Sequence, residues 1–238
     1  MPSSELIFRD DPYRRSCQAT VTSADERGIR LDRTVFYPTG GGQPGDTGRL
    51  RLGDDSEVAI VDTVKGVGPE DVVHMAAEGA LAPEPGTQVS AEIDWERRYR
   101  LMQMHTCLHL LSALLPYPVT GGSVGEMRSR LDFDIPDMSP DKEQITQALN
   151  RLIGEDHPVQ PRWITEAELD AQPELIKTMS VKPPRGHGRV RVIEIPGLDL
   201  QPCGGTHVAR TGEIAPVAVT KIQSKGRHYR RVVVAFAD

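Results

Sequence analysis

Two pairs of residues in this sequence have the types and the spacing of metal ligands. The first is His105 and His109, within QMHTCLHLL at 103–111. On a helix, positions i and i+4 lie one above the other on one face, so both imidazoles can reach a single ion. The second is Cys203 and His207 in CGGTH, which repeats the spacing of four with two glycines inside it. Three imidazoles and one thiolate suit zinc best, since these are its preferred borderline and soft donors. One Zn2+ per chain is therefore expected, because neither pair fills a tetrahedral shell alone. The plainer alternative is that His105 and His109 are hydrogen-bonded histidines at the edge of a core.

The first pair must be positioned by a helix. Leu101, Met104, Leu108, Leu111 and Leu115 follow a spacing of 3, 4, 3 and 4, which is one buried stripe. Each histidine sits one position past a stripe residue, about 100° round the helix, at an edge that can line a cleft. Asp94 as N-cap and Pro116 as stop predict a helix over 95–115. Cys107 lies between the histidines but points about 160° away from His109, which predicts packing rather than ligation. With Cys17 and Cys203 it makes an odd count of three cysteines, which suits a reducing compartment better than a disulfide framework.

The chain has 238 residues, enough core to fold without a metal or a disulfide. No apolar run reaches membrane-spanning length and the start, MPSSELIFRDD, lacks the features of a signal peptide, so the cytoplasm is the default. A formal net charge of −6 argues against coating nucleic acid through bulk positive charge, but not against a local basic face. Lys221, Lys225, Arg227, Arg230 and Arg231, with His228 and Tyr229 among them, form one basic cluster, and Lys182, Arg185, Arg189 and Arg191 form another. Flanking CGGTH as they do, they predict either a phosphate-binding rim or an ordinary solvated surface.

Taken in order, the first ninety residues read as short strands at 17–22, 29–37, 48–52, 58–64, 72–75 and 89–93, at the spacing of a small antiparallel barrel. Inside this region lies YPTGGGQPGDTG, 37–48, whose Gly40, Gly41 and Gly42 allow backbone conformations closed to other residues. It lacks the Gly-Lys-Ser/Thr ending of a Walker loop. Its alternative reading is a tight loop at the barrel rim. LAPEPG at 81–86 breaks both periodicities and marks a boundary, giving domains 1–86 and 87–238. The second domain is read as the helix, VTGGS at 119–123, an alternating strand at 127–135, a helix from Ser139-Pro140 to about 153, a Thr165/Glu168 capping box, and strands at 190–195, 216–222 and 231–236. The fold class is α+β with a mostly antiparallel sheet.

Taken together, YPTGGGQPGDTG, RLMQMHTCLHLL, QPCGGTHVARTGEIAPV and the basic KIQSKGRHYRRVVVAF ending resemble the freestanding alanyl-tRNA editing proteins of the AlaX type, relatives of the editing domains of alanyl- and threonyl-tRNA synthetase. The resemblance covers nearly the whole chain, with the motifs in family order. It implies an N-terminal β-barrel followed by an α/β editing domain. The implied activity is a hydrolase that clears misacylated tRNA(Ala), chiefly Ser-tRNA(Ala) and also Gly-tRNA(Ala). By the same resemblance His105, His109, Cys203 and His207 are the zinc residues, and Gly40, Gly41 and Gly42 are the glycine motif beside the editing pocket. Two positions depart from the synthetase form: Gly121 stands where a Gln is common, and Leu108 precedes the second histidine in place of Thr. Thr106 and Thr120 are the candidate catalytic side chains that would contact the seryl hydroxyl, and Lys225, Arg227, Arg230 and Arg231 the candidate tRNA contacts.

The chemistry implied is transfer of an ester acyl group to water. Four protein ligands are unusual for a catalytic zinc, which keeps a position open, so one ligand, a histidine, is expected to be displaced or to orient the attacking water. The rival class is a zinc-stabilised RNA-binding module without catalysis. A metallopeptidase is disfavoured because HTCLH lacks the glutamate of HExxH. The chain is too short to hold a synthetase activation domain as well, so the expected action is in trans.

Overall fold

The computed structural model describes residues 3–54, 56–68, 70–135, 141–178 and 188–237. It is mixed α/β, with mostly antiparallel sheets, and divides into two compact units, Met1–Tyr99 and Arg100–Asp238.

The first unit contains β1 (Glu5–Leu6), β2 (Ser16–Asp25), β3 (Gly28–Leu31), β4 (Arg33–Thr34), β5 (Gly48–Leu52), β6 (Glu57–Lys65), β7 (Val72–Ala76) and β8 (Gln88–Ile93). Six of these close a barrel in the order β2-β3-β7-β6-β5-β8. Alternation fills it: Ala19, Val21, Ile29, Leu31, Leu50, Ile60, Val89 and Ala91 all point into one core. Register shifts between Val21 and Ser23 and between Ile60 and Asp62 bend the long strands at its corners. The strand expected at 29–37 stops at Leu31, because Asp32 turns the chain and takes up Thr20 from both sides: its N–H donates to the Thr20 carbonyl and its Oδ1 accepts the Thr20 N–H. Arg33 and Thr34 instead pair in parallel with β1.

The expected boundary at 86/87 moves. β8 pairs with both β2 and β5 and so completes the barrel, and LAPEPG is a connection within the first unit, with the Gly86 N–H donating to the Val21 carbonyl.

In chain order there follow α1 (Trp95–Leu114), β9 (Val119–Ser123), β10 (Arg128–Asp134), α2 (Lys142–Gly154), β11 (Gln160–Thr165), α3 (Glu166–Asp170), β12 (Arg189–Ile195), β13 (Asp199–Pro202), β14 (Val217–Ser224) and β15 (Tyr229–Phe236). In α1, Asp94 acts as N-cap through Arg97 N–H, and the helix stops before Pro116. The expected single stripe understates its burial, since Leu101 through Ser112 are buried on every side. The start expected for α2 at Ser139-Pro140 lies outside the described residues; its N-cap is Asp141, which accepts from Glu143 and Gln144 N–H. Thr165 and Glu168 form the predicted capping box of α3.

The second unit holds two antiparallel sheets, β14-β15-β10-β9 and β11-β12-β13. β14 is an edge strand, and α2 covers that edge: the Asn150 side chain exchanges hydrogen bonds with Val217 N–H and C=O, and Thr146 Oγ1 accepts from Val219 N–H.

Candidate metal centre

The tertiary fold brings the two pairs together. One ligand atom each from His105, His109, Cys203 and His207 lies within 4.8 Å of the other three. The three imidazole centroids stand 4.4 to 5.5 Å apart. Cys203 Sγ lies 3.3 Å from His207 Nε2 and 3.6 Å from His105 Nε2.

Hydrogen bonds behind two of the imidazoles decide which nitrogen faces the cluster. His109 Nδ1 is 2.8 Å from Asp199 Oδ2, an acceptor when ionised, so Nδ1 carries the proton and Nε2 is left for the ion. Asp199 is tied in turn by Lys177 Nζ at 2.5 Å on Oδ1 and by Gln201 Nε2 at 2.8 Å on Oδ2. Gln201 gives its other hydrogen to Ser112 Oγ, which donates to the His109 carbonyl. Thr106 does the same service for His207: its hydroxyl donates to the Met102 carbonyl at 2.9 Å, and its oxygen receives His207 Nδ1–H at 3.1 Å and Val208 N–H at 3.3 Å. The loop carrying Cys203 is held by the Arg191 guanidinium, which donates to the carbonyls of Cys203 and Gly205, while Gly205 N–H points at the sulfur.

The electrostatics favour a thiolate. Burial opposes ionisation of Cys203, but the neighbouring His105 and His207 and hydrogen bonds from His105 and His109 hold its thiol well below the usual range. Burial alone would depress His109, yet its bond to Asp199 and the proximity of Cys203 raise it to about 9. Burial and the proximity of His105 push His207 down to about 3. Asp199 falls to about 2, because His109 and Lys177 outweigh its burial. Cys107 behaves as expected of a packing residue, fully buried and with its thiol raised to about 12 by burial.

Residues 190–233 match the family model described as the threonyl and alanyl tRNA synthetase second additional domain, and residues 10–97 match that of class II (A) tRNA synthetases. The chain is 33% identical to the alanyl-tRNA editing protein AlaX-M of Methanosarcina acetivorans, over 99% of this chain and 100% of that protein. The chain belongs to the AlaX family of alanyl-tRNA editing proteins. It is also 30% identical to the AlaX-M of Saccharolobus solfataricus, over 96% of this chain and 97% of the relative. The alanine–tRNA ligase of Methanothermobacter thermautotrophicus is 33% identical over 93% of this chain, which there spans 25% of the ligase.

In this AlaX chain the remaining predicted site residues are distributed as follows. Gly41 and Gly42 have φ of +58° and +80°, and Gly40 and Gln43 exchange both backbone hydrogen bonds around them, so the glycine run is a two-residue hairpin turn of the kind that demands glycine. The loop behind it is anchored by buried Asp46, which accepts from Tyr37 N–H and from Arg98; Arg98 also donates to the carbonyls of Pro12 and Val35. Thr120 sits at a register shift between β9 and β10, and its hydroxyl donates to the Asp132 carbonyl at 3.2 Å. Lys225 and Arg227 are exposed in the turn between β14 and β15. Arg230 turns back onto that turn, donating to the Ser224 hydroxyl and the Gly226 carbonyl, whereas Arg231 pairs with Asp132. In the other basic cluster, Lys182 and Arg185 lie outside the described residues, Arg189 is exposed, and Arg191 is buried under the Cys203 loop rather than facing solvent.

Sequence reasoning missed Asp199, Gln201 and Lys177, and put Arg191 in a basic cluster rather than under the Cys203 loop. A signal was present for two of them: Asp199, Gln201 and Cys203 alternate along one strand and its end, so all three face the same side. Two polar residues in step with a ligand, in a strand otherwise apolar, mark its supporting shell.

Proposed function

We propose that this chain is a zinc-dependent hydrolase that deacylates misacylated tRNA(Ala) in trans, chiefly Ser-tRNA(Ala) and also Gly-tRNA(Ala). The observation that carries the reading is the convergence of four buried or half-buried donors within 4.8 Å, in a chain related over its full length to proteins named for alanyl-tRNA editing. The donor set suits zinc: one thiolate and three imidazoles, two of them with the proton held on the nitrogen that faces away. His105, His109, Cys203 and His207 would hold the ion, which would supply Lewis-acid chemistry to the aminoacyl ester.

The chain's own residues prepare that site. Asp199 and Thr106 keep the lone pairs of His109 and His207 aimed inward, and Arg191 keeps the Cys203 loop against them. Thr106 thus acts through His207, since its hydroxyl proton and its accepting capacity are already engaged. Selection of serine over alanine needs a polar contact, because alanine is the smaller group and no pocket rejects it by size. A site that hydrogen-bonds the extra hydroxyl disfavours the analogue lacking it by about 10⁴ or more. Thr120 is assigned that contact, and Lys225, Arg227, Arg230 and Arg231 are assigned to the tRNA.

The full complement of four donors favours a second reading, a structural zinc in a non-catalytic tRNA-binding module; editing requires one donor, a histidine, to give way. A deacylation assay on Ser-, Gly- and Ala-tRNA(Ala), with and without chelator, separates the two. Fast, chelator-sensitive release of serine with Ala-tRNA(Ala) spared is expected. Absence of deacylation by metal-replete protein would leave only the binding module.

A further inference from the structure

The sheet β14-β15-β10-β9 has one face closed by Leu131, Phe133, Val232 and Val234 and another that carries charge. Strand alternation sends Arg128, Arg130 and Asp132 of β10 to the second face, and register places Val233 opposite Arg130 and Arg231 opposite Asp132. On the neighbouring strands Lys221 stands opposite Val233, Gln223 opposite Arg231, and Ser123 opposite Arg130. Of these, Arg128, Arg130, Arg231, Lys221, Gln223 and Ser123 line a cavity of about 420 Å³.

Four cations therefore share one concavity, and Asp132, on the same strand face, organises two of them. Arg231 grips Asp132 in a bidentate fork at 2.7 and 2.8 Å, and Arg130 binds the same carboxylate at 2.5 Å. Their positions are set by the carboxylate, and each retains further N–H donors, since a guanidinium has five. Arg128 and Lys221 are exposed, and neither forms an ion pair among the described residues. The cavity thus holds an excess of positive charge in a protein whose formal net charge is −6.

We propose that this open sheet face is a docking site for the phosphate backbone of RNA, with Arg128, Arg130, Arg231 and Lys221 as the phosphate contacts. Planar guanidinium forks match phosphate oxygens, and the spacing of Arg128 and Arg130 along β10, two residues or roughly 6.6 Å, suits successive phosphates of one strand. Tyr229 favours RNA over an acidic protein segment: it is 47% exposed and lies on the same face two residues from Arg231, where a ring can stack on an unpaired base. The face goes beyond the hairpin cluster recognised in the sequence. It draws in Arg128 and Arg130 from a distant strand and leaves out Arg230, which alternation places opposite Phe133 on the other face of the sheet. The identity of the RNA as tRNA(Ala) rests on the editing reading; the anionic character of the ligand does not.

The test is charge reversal of the two unpaired cations, Arg128→Glu with Lys221→Glu, and separately the milder Arg128→Gln with Lys221→Gln. Three quantities are read: tRNA(Ala) affinity as a function of salt, KM and kcat on Ser-tRNA(Ala), and hydrolysis of a seryl ester of adenosine, which has no RNA backbone. Tenfold or greater weakening of tRNA binding is expected for the reversal, less for the neutral pair. The slope of log affinity on log salt should fall by about 1.5 to 2. KM should rise while kcat and the small-ester rate stay at the wild-type level. tRNA binding within twofold of wild type, with an unchanged salt slope, would overturn the proposal and point to a protein ligand. Failure of the editing reading is a separate outcome: wild type would then release no serine from either substrate, while its tRNA binding would still respond to these substitutions.

Discussion

Buried histidines occur in both units of this molecule, and they are buried for opposite reasons. His74 in β7 of the barrel is fully enclosed, and both its ring nitrogens are matched: Nδ1–H donates to the Ile29 carbonyl at 2.9 Å and Nε2 accepts the Thr34 hydroxyl at 2.8 Å. Thr34 in turn receives Phe36 N–H. His109 and His207 in the second unit have their Nδ1 sides matched in the same way, but their other nitrogens turn to the Cys203 sulfur, 3.3 Å from His207 Nε2, and to His105. Imidazole nitrogens and a thiolate gathered on one point are the donors that a bound zinc ion would hold together. The barrel histidine is a packed polar residue, and His109 and His207 are two of the four residues that could hold a metal ion.

The contrast breaks most sharply on removal of a ligand. His105→Ala and Cys203→Ala should each reduce bound zinc from one per chain to near zero by metal analysis, with loss of deacylation, whereas His74→Asn should keep its zinc. Wild-type zinc in both ligand variants would end the shared-site account.

Next in size is the buried pair of the barrel. Arg98→Met should cost about 3–5 kcal/mol in denaturant unfolding of the metal-loaded protein, because it strands Asp46 without its cation. Zinc content should not change.

The third test uses pH. Burial depresses His74 to about 4, against about 6.5 for an unfolded histidine. Between those values the unfolded chain binds more protons than the folded one, so the stability contribution is complete above pH 6.5 and is lost as pH falls towards 4. The loss approaches roughly 3 kcal/mol. Unfolding free energies of wild type and His74→Asn, subtracted pH by pH so that other titrating groups cancel, should show it; parallel curves would remove His74 from the acid response.

The smallest effect sharpens the comparison within the metal centre. Asp199→Asn should leave zinc stoichiometry at saturation intact and weaken affinity by about 10–100-fold in chelator competition, because the carboxylate orients His109 without touching the ion. Unchanged affinity would show that packing alone holds the imidazole.

Local signals in the sequence determined the elements that carry the candidate ligands. Spacing placed His105 and His109 on one helix face, Asp94 and Pro116 bounded that helix, and alternation found most barrel strands, since each of these depends on residues within a few positions of one another. The four residues that could hold a metal ion were also legible, because each pair is itself local. What only the tertiary structure decided were relations across long separations. Asp199 meets His109 and Lys177, Arg191 holds the loop of Cys203, and Thr106 serves His207 instead of presenting its hydroxyl elsewhere. The strand at 88–93 closes the first unit because its partners, β2 and β5, were made some forty to seventy residues earlier. A lysine, an arginine or a threonine has no spacing pattern that names such a partner; burial supplies the need for one, and only the fold says which group meets it.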